Sequence, residues 1–217
     1  MHYHYEPSGP VSGDYCDLIL SEEEPRDLFC LLGDVAGKGV AASMLMTHLH
    51  AMFRSFLTLG LPVEQLMRRA NRVFCESTIS GHFATLVCGR AGPSGEVEIC
   101  NAGHCPPLAL LNGEVTPVEA SGFPLGLFSD GQYTATRVLL APGDTLFLYT
   151  DGLSEAVGRS TAEYGVGRLA QFVRERQALS PQQLIAACLQ DLGGFLSGTP
   201  MTDDLTVMVV RRTQLDS

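Results

Sequence analysis

The chain has 217 residues, with 14 Lys plus Arg against 24 Asp plus Glu, for a formal net charge of −10. Its 45% hydrophobic and 18% charged residues describe a globular chain long enough to bury a core without disulfides. Nucleic-acid affinity comes mostly from Lys and Arg neutralising phosphates, so the acidic balance excludes nucleic acid and anionic membranes as partners.

The N-terminal MHYHYEPSGP has neither a basic nor an apolar signal region. The longest charge-free apolar stretch, residues 40–53, stops at Arg54, short of the ~20 residues of a spanning helix, so membrane insertion is not expected. Seven scattered cysteines without a C-x-x-C pair fit reduced thiols in a cytoplasm. Cys100, His104 and Cys105 have no second ligand pair to complete a zinc site, and read as core or loop residues.

In chain order, Val-, Leu-, Phe- and Thr-rich runs predict strands over 15–20 and 28–32. Apolar residues at helical spacing then predict two helices, from Val40 to Leu57 and from Val63, after Pro62, to Phe74. Strands follow over 83–90, 96–101, 108–111, 133–140 and 145–150. A second helix pair covers 162–177 and 181–196, with Ser180 as N-cap before Pro181, and a last strand covers 205–211. No repeat or linker divides the sequence, so one domain over 1–217 is expected, of α+β class because strand runs alternate with helix pairs.

Glu22 to Glu24, before Pro25, read as a solvated hairpin loop. Other acidic residues lie where an apolar strand meets a turn: Asp14 in SGDYCD, Asp34 in LLGDVAGKG, Asp151 in TLFLYTDG, and Asp203 and Asp204 in TDDLTVMVV. Each alone could simply cap a turn. As a set they call for hard cations, because Mg²⁺ and Mn²⁺ prefer carboxylate and water oxygens and buried unpaired carboxylates are costly. GDVAGKG is not a Walker loop: Gly33 and Gly37 enclose three residues and Lys38 precedes Gly39.

Taken in order, SGDYCD, GDVAGKGVAASMLM, FATLVCGR, NAGHCPPLALL, PLGL, GDTLFLYTDGLSEA and TDDLTVMVV resemble the SpoIIE-like branch of the type 2C metal-dependent protein phosphatases. The resemblance runs from about Gly13 to Val210 and implies a four-layer αββα sandwich, two central antiparallel β-sheets flanked by pairs of antiparallel helices. It also implies a site for two Mn²⁺ or Mg²⁺ ions. By position, Asp14 and Asp34 would bind or bridge the metals and the Val35 backbone carbonyl would complete one shell. Asp151 and Asp203 would hold the other side, with Asp204 a supporting or outer ligand, and Asp17 could assist through water. The implied reaction is hydrolysis of a phosphoserine or phosphothreonine by a metal-activated water, with no covalent nucleophile.

Lys38 stands where many relatives have His, and Ala36 where eukaryotic relatives have one, so the resemblance assigns no general acid. His104, in NAGHCPP, reads as a loop brace. The substrate implied is a small anti-anti-sigma factor with a STAS domain. A sensor or receiver domain upstream is expected, with this chain as the C-terminal effector and the helices from Val40 to Ser77 relaying signals or homodimerisation to the metal ligands. The alternative is an inactive module of the same fold that binds a regulatory partner.

Overall fold

Among the described residues of the computed structural model, ten strands pair into two five-stranded antiparallel sheets, and five helices accompany them. The structure describes all residues except Glu23, Ile79, Ser80, Ser160 and 214–217. Part of the expected loop at Glu22 to Glu24 therefore lies outside the described residues. The chain forms two compact units: one comprises residues 1–8, 107–118 and 140–217, the other 9–106 and 119–139.

In the second of these, β2 (Asp14–Leu20), β3 (Leu28–Val35), β4 (Ala84–Ala91), β5 (Glu96–Ala102) and β8 (Thr136–Leu139) form a sheet in the order β2-β3-β4-β5-β8. Helices α1 (Val40–Leu57) and α2 (Val63–Ser77) pack on it. Buried Val63, Leu66, Met67, Ala70 and Phe74 give α2 a continuous apolar stripe at i, i+3, i+4, i+7 and i+11. That stripe joins Leu49 and Phe53 of α1 and Tyr15, Leu31, Leu86 and Cys100 of the strands in one core.

The other unit carries the sheet β1-β10-β9-β6-β7, built from β1 (His2–Glu6), β10 (Leu205–Arg211), β9 (Thr145–Tyr149), β6 (Leu108–Leu111) and β7 (Glu114–Pro117). Its helices are the single turn α3 (Asp151–Ser154), α4 (Val166–Glu175) and α5 (Pro181–Leu196). Ser180 caps α5 as expected: its hydroxyl accepts from the Gln183 N–H and its own N–H donates to Gln183 Oε1. Among the described residues no helix is long and apolar enough to cross a membrane.

Two strands exceed the sequence reading. β7 follows β6 through Asn112 and Gly113, both with positive φ, the Asn-Gly signature of a two-residue type I′ hairpin. β1 alternates His and Tyr instead of apolar residues, and its backbone is secured by pairing with β10. The expected strand over 133–140 shortens to β8, and β3 extends three residues further than expected, so Asp34 lies within the ladder.

Candidate metal centre

Asp14 opens β2 and Asp34 is its register partner on β3. The Val35 N–H donates to the Gly13 carbonyl at 3.3 Å, which makes Gly13 and Val35 the hydrogen-bonded pair. Asp14 and Asp34 are thus a non-hydrogen-bonded pair, the kind whose side chains approach more closely. Asp14 is 3% exposed and Asp34 is half-buried.

Gly13 completes the arrangement by having no side chain. A Cβ there would lie 3.1 Å from the Val35 carbonyl oxygen and 3.2 Å from Asp34 Oδ1, so both oxygens border the same small space. Ser12 anchors the strand entry: its hydroxyl accepts from the Asp14 N–H at 3.0 Å, and its carbonyl accepts from Ser43 Oγ of α1 at 2.7 Å. Two carboxylates and a main-chain carbonyl make a donor set of hard oxygens.

Asp17 lies three residues beyond Asp14, on the opposite face of β2. There Arg54 of α1 grips it through two charged hydrogen bonds, Nε to Oδ2 at 2.7 Å and a terminal nitrogen to Oδ1 at 2.6 Å. Its expected water-mediated assistance at Asp14 is therefore corrected: Asp17 ties the sheet to α1. Lys38 is exposed between β3 and α1.

In the other unit, Asp151 is the first residue of α3. The strand ends around it are bound by Thr150, whose N–H donates to the Thr206 carbonyl and whose hydroxyl accepts from the Thr206 N–H, both at 3.0 Å. Gly152 lets the chain pass: a Cβ there would stand 1.9 Å from the Asp204 carbonyl oxygen. Asp151 and Asp203 line a cavity of about 340 Å³ together with Glu155, Thr199, Thr202 and apolar residues. Asp204 turns to Ser8, whose N–H and hydroxyl donate to its Oδ1 at 2.7 and 3.0 Å. Burial, then the charges of Asp151, Glu163 and Asp203, raise the Glu155 carboxyl above its ordinary range.

Among the described residues no three His, Cys, Asp or Glu side chains converge to hold one ion. The acidic residues form two groups, one in each unit. Mg²⁺ ordinarily takes only one or two protein carboxylates and keeps several waters, which such groups can provide. Cys100 belongs to the core, and burial pushes the Cys30 and Cys100 thiols up to about 12, so neither serves as a thiolate nucleophile.

The fold is that of PP2C-type phosphatase domains. It superposes on the RsbU and RsbW domains of Rv1364c from Mycobacterium tuberculosis with a TM-score of 0.80 at 27% identity, covering 97% of this chain and 59% of that one. With the SiaA-PP2C domain of Pseudomonas aeruginosa the TM-score is 0.84 at 19% identity, covering 98% and 84%. The chain belongs to the SpoIIE family, matching the family described as Stage II sporulation protein E (SpoIIE) over residues 24–213. Curated relatives include protein IcfG of Synechocystis sp., 26% identical over 96% of this chain, and phosphoserine phosphatase RsbU of Bacillus subtilis, 26% identical over 95%. The chain spans 37% of the length of IcfG and 61% of RsbU.

Proposed function

We propose that this chain is a divalent-cation-dependent serine/threonine protein phosphatase domain that hydrolyses phosphoserine or phosphothreonine on a signalling protein. The observation that carries the reading is Asp14 set directly opposite Asp34 with the Val35 carbonyl beside them, in a chain of the SpoIIE family. Asp14, Asp34 and the Val35 carbonyl would hold cation in one unit, and Asp151 and Asp203 would do so in the other. Asp203 is preferred to Asp204 because it lines the Asp151 cavity while Asp204 is engaged by Ser8. Bound Mg²⁺ or Mn²⁺ supplies a water activated near neutral pH and positive charge for the phosphoryl oxygens.

The chain's own contribution is pre-organisation. Asp14 and Asp34 are fixed by a strand ladder and Asp151 by the Thr150–Thr206 bonds, so little ordering remains to be done on binding. Magnesium as the cation is supported by the structure of the relative RsbX in complex with magnesium. Phosphoserine as the group hydrolysed is supported by the relatives named phosphoserine phosphatase, and a STAS-domain protein as its carrier is what the family resemblance implies.

The test is hydrolysis of p-nitrophenyl phosphate and of a serine-phosphorylated STAS protein with Mn²⁺ or Mg²⁺. Turnover that stops in EDTA and is lost in Asp34→Asn and Asp151→Asn is expected. No turnover with either cation overturns the proposal.

A further inference from the structure

The NAGH turn reaches Asp34 through one hydroxyl. Asn101, fully buried at the end of β5, clamps the residue three positions on: its Nδ2 donates to the His104 carbonyl at 3.1 Å and its Oδ1 accepts from the His104 N–H at 2.8 Å. With its backbone held on both sides, buried His104 sets Nδ1 2.8 Å from Thr85 Oγ1. Thr85 is the register partner of Asp34 across β3 and β4, and its hydroxyl donates to the Asp34 main-chain carbonyl at 3.4 Å.

A hydroxyl has one hydrogen. Directed at the Asp34 carbonyl, it leaves Thr85 Oγ1 to accept from His104, which then carries its proton on Nδ1. Directed at His104, it releases the carbonyl. The peptide unit at stake joins Asp34 to Val35. Its carbonyl end meets Thr85 and its N–H end meets the Gly13 carbonyl at 3.3 Å. The same unit lies between the Asp34 carboxylate and the Val35 carbonyl, the oxygens that border the Gly13 space.

We propose that Thr85 and His104 are positioning residues for Asp34: His104 donates from Nδ1 to Thr85 Oγ1, which commits the Thr85 hydrogen to the Asp34 carbonyl and fixes the Asp34–Val35 peptide. This rests on the reading of Asp34 and Val35 as cation-holding groups. Groups that orient metal ligands from behind typically matter by 10–100-fold in affinity.

The experiment is Mn²⁺ calorimetry on the full chain, with thermal unfolding in EDTA alongside. Thr85→Val should weaken Mn²⁺ binding about 10-fold or more, while Thr85→Ser, which keeps the hydroxyl, should bind like the parent. His104→Leu should follow Thr85→Val. His104→Asn, whose amide nitrogen takes the place of Nδ1, should retain most of the affinity. Equal weakening by Thr85→Ser and Thr85→Val overturns the proposal, since the hydroxyl would then be irrelevant. So does parental binding in Thr85→Val while Asp34→Asn has lost it, a result that leaves the ligand assignment standing. Undiminished binding in Asp34→Asn itself overturns the ligand assignment and the proposal with it. If Thr85→Val does not fold in EDTA, the His104→Leu and His104→Asn pair makes the same comparison.

Discussion

Asp14 and Asp34 face each other directly across the first two strands of their sheet, in a pair without mutual backbone hydrogen bonds. Like charges in that relation are destabilising, by roughly 0.2–1 kcal/mol even at an ordinary sheet surface. The repulsion has a purpose if a cation is to be held there.

Neutralising either member should therefore stabilise the metal-free protein. In EDTA, Asp14→Asn and Asp34→Asn are expected to raise unfolding free energy by up to about 1 kcal/mol. Saturating Mn²⁺ should stabilise the parent instead, by about 2.7 kcal/mol at a hundredfold excess over its dissociation constant, and the variants much less. Urea unfolding with and without Mn²⁺ reads both effects. A variant less stable than the parent in EDTA and equally stabilised by Mn²⁺ contradicts them.

The pair Asp17–Arg54 predicts the opposite behaviour. Asp17 is nearly buried, and the half-exposed Arg54 provides its two short hydrogen bonds. Arg54→Ala strands the carboxylate against α1 and should cost about 1–3 kcal/mol, with Mn²⁺ affinity unchanged because Asp17 lies on the other face from Asp14. Chemical denaturation and calorimetry on the same variant separate the two readouts.

The acidic strand ends are legible in the sequence because each breaks an apolar run, and the order of motifs carries the rest. Proximity in sequence misleads at Asp17, where three steps along a strand reverse the face. β7 escapes the sequence reading although Asn112-Gly113 marks its turn. The division into two units has no sequence boundary to read, because one unit gathers its sheet from both ends of the chain and one inner segment. The contact of His104 with Thr85 is equally hidden, since a turn and a strand 19 residues apart meet only in the fold.

Glu155 gives a pH signature. Burial and then the charges of Asp151, Glu163 and Asp203 raise its carboxyl, so the folded state binds that proton more tightly than the unfolded chain does. The contribution is full below the unfolded value and is lost as pH rises through the folded one. In EDTA, Glu155→Gln should match the parent near pH ~4 and become progressively more stable than it toward pH ~8. Urea midpoints across that range provide the check, and a gap that narrows with rising pH contradicts the assignment.

Gly152 offers a contrast between two chemically identical substitutions. A Cβ at this position would meet the Asp204 carbonyl oxygen at 1.9 Å and its carbon at 2.9 Å. The Asp204 segment has little room to retreat, because Thr150 Oγ1 donates to that oxygen at 3.4 Å and Ser8 holds the side chain. Gly152→Ala should therefore cost about 1–3 kcal/mol or more and reduce phosphatase activity by moving Asp151 away from Asp203. Gly193 in α5 is exposed, and a methyl group added there would point into open space, with nothing beyond its own stretch of helix within 4 Å. Gly193→Ala should gain roughly 0.5–1 kcal/mol through helix propensity alone and leave activity intact. Thermal unfolding and turnover measured on both variants decide the matter: if Gly152→Ala is as benign as Gly193→Ala, the close packing of α3 against the Asp204 backbone does not set the position of Asp151.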